Sequence, residues 1–312
     1  MNEAIVTRGL VKRYRGTRAL DGFSLSVPLG STMGLVGCNG AGKTTWMMTV
    51  AGFVIPSSGE ISILGRGPFD AAELSGRLSI LPQDSELPLE VRPRELLRRY
   101  GLLQGLSPRQ AANDADALLD AFNLSGKADS PVRSLSHGMR KRVMVAQAFV
   151  GAPDIVLLDE PLSGLDPVEA ERMRAFIRAR KEKETIVISS HNLDDIEKLC
   201  THVAFIGAGR LERVDTLAAI TSGAGRVVVA LKRMPTDLAA LEGLAQGLHV
   251  SWRGDTNELT AQFDPSVPPE EANARLLPAL FPFGVVSVSS GRTLEQAYLV
   301  ERDLEKNLCG AT

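Results

Sequence analysis

Gly37-Cys38-Asn39-Gly40-Ala41-Gly42-Lys43-Thr44-Thr45 decides the fold. It fits G-x-x-x-x-G-K-[ST], the pattern of a phosphate-binding loop. Thr32-Met33-Gly34-Leu35-Val36 before it reads as a short apolar strand, and Thr45 to Val50 after it reads as a helix. Glycines let the backbone turn tightly and aim its N–H groups inward, while the helix N-terminus adds partial positive charge where an anion would sit. Lys43 can reach outer phosphates, and the Thr44 hydroxyl can ligate Mg²⁺. A glycine-rich turn could match by accident, but strand, loop and helix in this order argue against that. The loop implies a nucleoside triphosphate without saying what its energy is used for.

The rest of the composition narrows the class. A chain of 312 residues has room for about two domains. Hydrophobic residues make up 44% and charged residues 23%, as in ordinary globular proteins. The net charge of −2 supplies no global basic field for nucleic acid or anionic lipid. Three scattered cysteines, Cys38, Cys200 and Cys309, do not make a disulfide framework and suit a reducing compartment. Met1-Asn2-Glu3-Ala4 lacks the basic start and apolar core of a leader, and no apolar run reaches the ~18 residues of a membrane span. Membrane contact is therefore expected only through a partner.

Strands are predicted at Ala4–Tyr14 and Phe23–Val27, joined by a connector over Arg15–Gly22. Pro56–Gly59 reads as a turn, with strands at Glu60–Leu64 and Leu78–Leu81. From about 86 to 150 the texture is helical, with helices at Pro93–Gln104, Pro108–Phe122 and from Ser134–Ser136 to Val150. Asp154–Asp159 is a nearly continuous apolar strand, suited to a parallel sheet buried on both faces. A helix at Val168–Arg180, a strand at Thr185–Ser189, a helix at Leu193–Leu199 and strands at Val203–Ile206 and Arg210–Val214 follow. This alternation predicts an α/β phosphate-loop NTPase core with a parallel sheet, covering residues 1–221. Residues 222–225, Ser-Gly-Ala-Gly, read as a linker. Beyond them, strand 226–231, helix 236–246, strands 248–252 and 258–263, helix 268–280 and strand 285–289 give β-α-β-β-α-β. That order suits a small ferredoxin-like α+β domain over 226–312, ending in a helix at Thr293–Lys306.

Leu157-Leu158-Asp159-Glu160-Pro161 puts an acidic pair at the end of a buried strand, the edge where open α/β sheets bind ligands. Asp159 can hold Mg²⁺ through its water shell, and Glu160 can orient or deprotonate an attacking water. A helix-capping acidic pair is the bland alternative, and the phosphate loop on the same chain weighs against it.

Leu135-Ser136-His137-Gly138-Met139-Arg140-Lys141-Arg142 resembles the LSGGQ signature of ATP-binding-cassette (ABC) ATPases, with His137 for a glycine and Met139 for glutamine. The resemblance spans about Glu3 to Ile220, and the motifs stand in family order. It implies an antiparallel β subdomain and a helical insert in the core. It also implies that Tyr14 stacks on adenine, that Gln83 after Ile80-Leu81-Pro82 touches Mg²⁺ or the attacking water, and that Ser163-Gly164-Leu165-Asp166 is the D-loop. His191 in Ser189-Ser190-His191 then matches the switch histidine, which meets the γ-phosphate and Glu160. Residues 37–45 would hold the nucleotide on one subunit, and Ser136 with the Gly138 N–H would meet it from the other.

Arg92, Arg94, Arg98, Arg99 and Arg140-Lys141-Arg142 read as solvated helix faces. Arg292-Thr293-Leu294-Glu295-Gln296-Ala297-Tyr298 resembles the end of ABC-2-type and drug-resistance exporter ATPases. The resemblance thus implies ATP and Mg²⁺ as cofactors and a second ATPase subunit, in a homodimer. It also implies a separate polytopic permease and a place on the cytoplasmic face of the membrane, with no nucleic-acid partner. A non-transport ABC ATPase, either regulatory or acting on ribosomes or DNA, is the alternative. Glu160 and His191 argue against a degenerate regulatory site, and the sequence shows neither the second cassette nor the long coiled coil usual in the others.

Overall fold

In a computed structural model, residues 3–181, 183–221, 226–244, 247–263, 269–290 and 294–295 are described. The chain divides into two units, Met1–Thr216 and Leu217–Thr312. The first contains, in order, β1 (Glu3–Tyr14), β2 (Thr17–Pro28), β3 (Thr32–Val36), α1 (Lys43–Val50), β4 (Ser58–Ile63), α2 (Ala71–Leu74) and β5 (Leu78–Leu81). Next come α3 (Pro93–Leu103), α4 (Pro108–Ala121), α5 (His137–Ala148), β6 (Ile155–Asp159), α6 (Pro167–Ala179), β7 (Thr185–Ser189), α7 (Leu193–Leu199), β8 (His202–Gly207) and β9 (Arg210–Thr216).

A six-stranded sheet runs in the order β5-β6-β7-β3-β8-β9. Its first five strands are mutually parallel, and only β9 pairs antiparallel, with β8. Every residue of β3, β6 and β7 is buried, which is why these strands read as unbroken apolar runs. The parallel arrangement brings the carboxyl ends of β3, β5, β6 and β7 to one edge. The segments that follow them carry Gly37, Gln83, Glu160 and His191, so that edge is where the site must form.

The second sheet, β2-β1-β4, is antiparallel. Its β1–β2 hairpin turns on Arg15 (φ 38°) and Gly16 (φ 97°), and Tyr14 pairs directly with Thr17. Two positive φ values in a two-residue loop match the twist of the flanking strands. The predicted connector over Arg15–Gly22 is thus mostly strand. Leu10 pairs with Phe23 and Val11 with Asp21, leaving Gly22 (φ 72°) as the extra residue of a bulge. A bulge glycine inside a strand looks like a turn in sequence. Likewise β4 begins at Ser58, inside the predicted turn.

α1 joins the two sheets. Trp46 and Met47 are fully buried in one apolar cluster with Ile5, Leu10 and Phe23 from the antiparallel sheet and Leu35, Leu157 and Val187 from the parallel one. The Trp46 ring lies 6.1 Å from that of Phe23, and its Nε1–H donates to Thr7 Oγ1 at 3.2 Å. Truncating a buried Trp of this kind costs about 3–5 kcal/mol. The helix that follows the glycine loop is therefore fixed from both sides.

α3 and α4 pack on each other, and α4 starts with a capping box between Ser107 and Gln110. α5 packs on α3 and on β5 and β6. It begins at His137 with Ser136 as its N-cap, the start expected at Ser134–Ser136, and a 3-10 turn at Val132–Ser134 precedes it.

In the second unit, α8 (Leu217–Thr221) precedes β10 (Arg226–Leu231), α9 (Leu238–Glu242), β11 (His249–Arg253), β12 (Glu258–Gln262), α10 (Pro269–Leu280) and β13 (Val285–Ser290). The antiparallel order β11-β12-β10-β13 is that of a split β-α-β sandwich, with Val229, Leu259, Leu276 and Leu280 at its core. α9 is shorter than the helix expected at 236–246. The helix expected at Thr293–Lys306 lies outside the described residues apart from Leu294 and Glu295. No described helix is long and apolar enough to cross a membrane.

Candidate functional site

The site begins with backbone. Gly42 caps α1 in the left-handed region (φ 109°), and no side chain caps the helix and no acidic residue lies in its first turn. The first-turn N–H groups and the positive end of the helix dipole are left for an anion. Only glycine fits position 42: a Cβ would lie 2.6 Å from the Ala19 carbonyl oxygen. A Cβ on Gly40 would meet nothing within 4 Å, so backbone at that point faces open space that a ligand can approach. Lys43 is buried to 7% exposure, and its ammonium donates to the carbonyls of Gly37 (2.7 Å) and Cys38 (3.1 Å). It is curled over its own loop with no carboxylate paired to it among the described residues.

The acidic pair is held by neighbours. Thr44 Oγ1 donates to Asp159 Oδ2 at 2.6 Å, and Ser189 Oγ donates to Asp159 Oδ1. Glu160 has a positive φ of 51°, uncommon for a side chain of this size. Its N–H is shared by the Ser189 carbonyl (3.2 Å) and hydroxyl (3.1 Å). The carboxyl of Glu160 accepts from Nδ1–H of His191 at 2.8 Å. Strain of this sort is held where the surroundings over-determine it, and here β7 does so.

A cleft of about 430 Å³ collects Tyr14, Asn39, Gly40, Ala41, Gly42, Lys43, Thr44, Thr45, Gln83, Asp159 and Glu160. Tyr14 is 45% exposed at the mouth, beside Lys12, whose ammonium lies 5.0 Å from the ring centroid. Gly37 and Cys38 take part through their carbonyls, and His191 through Glu160. Ser136 and Gly138 do not line the cleft. Ser136 Oγ accepts from Met139 N at 3.2 Å at the start of α5.

Three features escaped sequence reasoning. Thr17, Arg18 and Ala19 also line the cleft, because the hairpin folds β2 over the loop. Ser189 belongs to no motif of its own, although a hydroxyl at a parallel strand's carboxyl end is itself a signal. Lys141 and Arg142, expected on a solvated face, are buried. Arg142 donates to the Phe122 carbonyl (2.8 Å) and pairs with Glu169 (3.2 Å). Burial pushes the Lys141 ammonium below its ordinary value, and the opposing pull comes from Glu160 and Asp159. Helical period alone does not tell which basic residues of α5 turn inward.

The donor set suits a triphosphate with Mg²⁺. A hydroxyl and a carboxylate 2.6 Å apart are hard oxygen ligands, and Mg²⁺ needs only one or two from protein when phosphate supplies others. No cluster of three or more His, Cys, Asp or Glu ligands exists among the described residues, so an all-protein metal cage is not built here.

Several known proteins resemble this chain. A family model described as ABC transporter matches residues 20–163. Nod factor export ATP-binding protein I of Cupriavidus metallidurans is 36% identical over 215 residues, 67% of this chain and 70% of that protein. The daunorubicin/doxorubicin resistance ATP-binding protein DrrA of Streptomyces peucetius is 32% identical over 267 residues, covering 84% and 81% respectively. A solved ATP-binding subunit of an ABC transporter superposes with a TM-score of 0.63 at 28% identity, over 70% of this chain and 91% of that one. With a phosphate loop, an acidic pair and a strand-end histidine assembled on one sheet edge, the chain belongs to the ATP-binding proteins of ABC transporters, the ATPases that couple hydrolysis to transport.

Proposed function

We propose that this chain is the ATP-hydrolysing half of a two-component exporter, acting as a dimer beside a separate polytopic permease at the cytoplasmic face of a membrane. The observation that carries the reading is that Ser136 and Gly138, at the N-terminus of α5, stand outside the cleft that holds Lys43. For the α5 N-terminus to meet a triphosphate, that triphosphate must belong to a second copy.

In this reading the α1 N-terminus and Lys43 hold the phosphates, and Tyr14 lends a flat face to adenine. Thr44, Asp159 and Gln83 are the residues that would hold Mg²⁺, which when bound neutralises phosphate charge. Glu160 takes a proton from the attacking water, and His191 fixes the direction of its carboxyl. ATP favours the closed dimer because it contacts both copies there and only one when open. Phe53 (65% exposed), Ile55 (80%) and Leu103 (75%) are large apolar side chains left in water on the first unit. Export as the direction is supported by the names of the Nod factor relatives.

The test is co-purification from membranes, identifying any polytopic chain that comes with it, followed by ATPase assay. A stoichiometric complex whose hydrolysis rises with a transported compound is expected. Recovery of the chain only with ribosomes or nucleic acid would contradict the reading.

A further inference from the structure

His137 is the first residue of α5, and its ring rests on the turn after Glu160. A Cβ built on Gly164 would lie 3.1 Å from His137 Nε2 and 3.7 Å from its Cδ2. Gly164 also has a positive φ of 78°. Its neighbour Leu165 covers the next residue of the helix: a Cβ on Gly138 would be 3.8 Å from Leu165 Cδ2. The turn over 163–166 is thus seated on the first two residues of α5.

The same turn is tied at both ends. Ser163 N–H donates to the Glu160 carbonyl at 3.4 Å, and Leu165 N–H to the Leu162 carbonyl at 3.3 Å. At the far end Asp166 caps α6, accepting from Val168 N and Glu169 N, both at 3.0 Å. Glu169 then pairs with buried Arg142 on α5. A tilt of the α5 N-terminus therefore pushes Gly164 through the imidazole, and the short turn passes the displacement to Glu160. Space is shared between the two positions: a side chain at 164 would crowd the end of the His137 ring.

We infer that His137 is a positioning residue, coupling the N-terminus of α5 to the carboxyl of Glu160 through Gly164. The inference rests on the reading of Glu160 as the group that activates water. Contacting positions show non-additive effects, whereas independent ones multiply.

The experiment is a double-mutant cycle on the full chain with His137→Gly, Gly164→Ala and the pair, measuring kcat and KM for ATP. Urea unfolding of each variant confirms folding. His137→Gly is expected to lower kcat about threefold to tenfold with KM within about twofold, and His137→Gln, which refills the space, to recover much of it. Gly164→Ala is expected to lose more, and the pair to exceed Gly164→Ala, because removing the ring makes room for the methyl. An unchanged kcat in His137→Gly, or an equal factor for it in both backgrounds, overturns the coupling. Normal hydrolysis by Glu160→Gln instead overturns the assignment of Glu160, whatever the cycle shows.

Discussion

Ser189→Ala removes one hydroxyl that serves both acidic residues. Ser189 is fully buried, donates to Asp159 Oδ1, and accepts from Glu160 N–H at 3.1 Å. A hydrogen bond to a charged group contributes about 1.5–3 kcal/mol, and a neutral one about 1 kcal/mol. The Glu160 N–H keeps its second acceptor, the Ser189 carbonyl at 3.2 Å, so most of the neutral contribution survives. Asp159 keeps Thr44 at 2.6 Å but has one oxygen left buried without its donor. The expected loss is about 2–3 kcal/mol. The chain has two tryptophans, so a Trp252→Phe background leaves buried Trp46 as the sole reporter on the first unit. Urea unfolding followed by its fluorescence gives the stability directly, and the Mg²⁺ concentration for half-maximal ATPase is expected to rise in parallel. A stability loss below about 0.5 kcal/mol, with Mg²⁺ dependence unchanged, would refute the idea that Ser189 holds the pair.

Lys141→Met deletes a buried positive charge that faces Glu160 and Asp159. The Mg²⁺ requirement should fall roughly twofold to tenfold, with Lys141→Arg near wild type; identical titrations for all three would dismiss the electrostatic role. Alkylation at exposed Cys38 should block nucleotide binding and be prevented by ATP, while buried Cys200, whose thiol burial pushes far up, stays unlabelled. Full ATP affinity after stoichiometric labelling at Cys38, mapped by mass spectrometry, rejects this. Burial pushes the Glu184 carboxyl above its ordinary 4.5, against the pull of Arg180 at 2.7 Å. A raised folded value stabilises fully below about pH 4.5 and is lost as pH rises through the folded value. Glu184→Gln keeps an acceptor for Arg180, so urea midpoints should flatten with pH above 4.5 and rise at neutral pH; parallel pH curves would contradict it.

The phosphate loop was legible because its chemistry is contiguous: glycines encode the backbone, and Lys43 and Thr44 encode the ligands. The parallel strands were legible because burial on both faces leaves unbroken apolar runs such as Ile155–Leu158. The hairpin was not, since Arg15-Gly16 and the bulge at Gly22 both look like turns and only pairing with β1 separates them. Ser189 and Lys141 were missed for a related reason. Their roles come from contacts with residues about 20 to 30 positions away, which neither propensity nor period carries. His137 was noticed as a departure from the signature pattern, but its neighbour Gly164 becomes visible only once α5 and the turn after β6 are packed.

The claim that one chain carries half of an ATP site is tested most directly by sedimentation of Glu160→Gln. That variant should hydrolyse about 10²–10⁴-fold more slowly and so retain ATP. Without nucleotide it should sediment as a monomer, and with Mg-ATP as a dimer that Ser136→Arg abolishes while ATP binding to the monomer persists. A monomer at saturating Mg-ATP, or a dimer indifferent to both nucleotide and Ser136, would contradict the account.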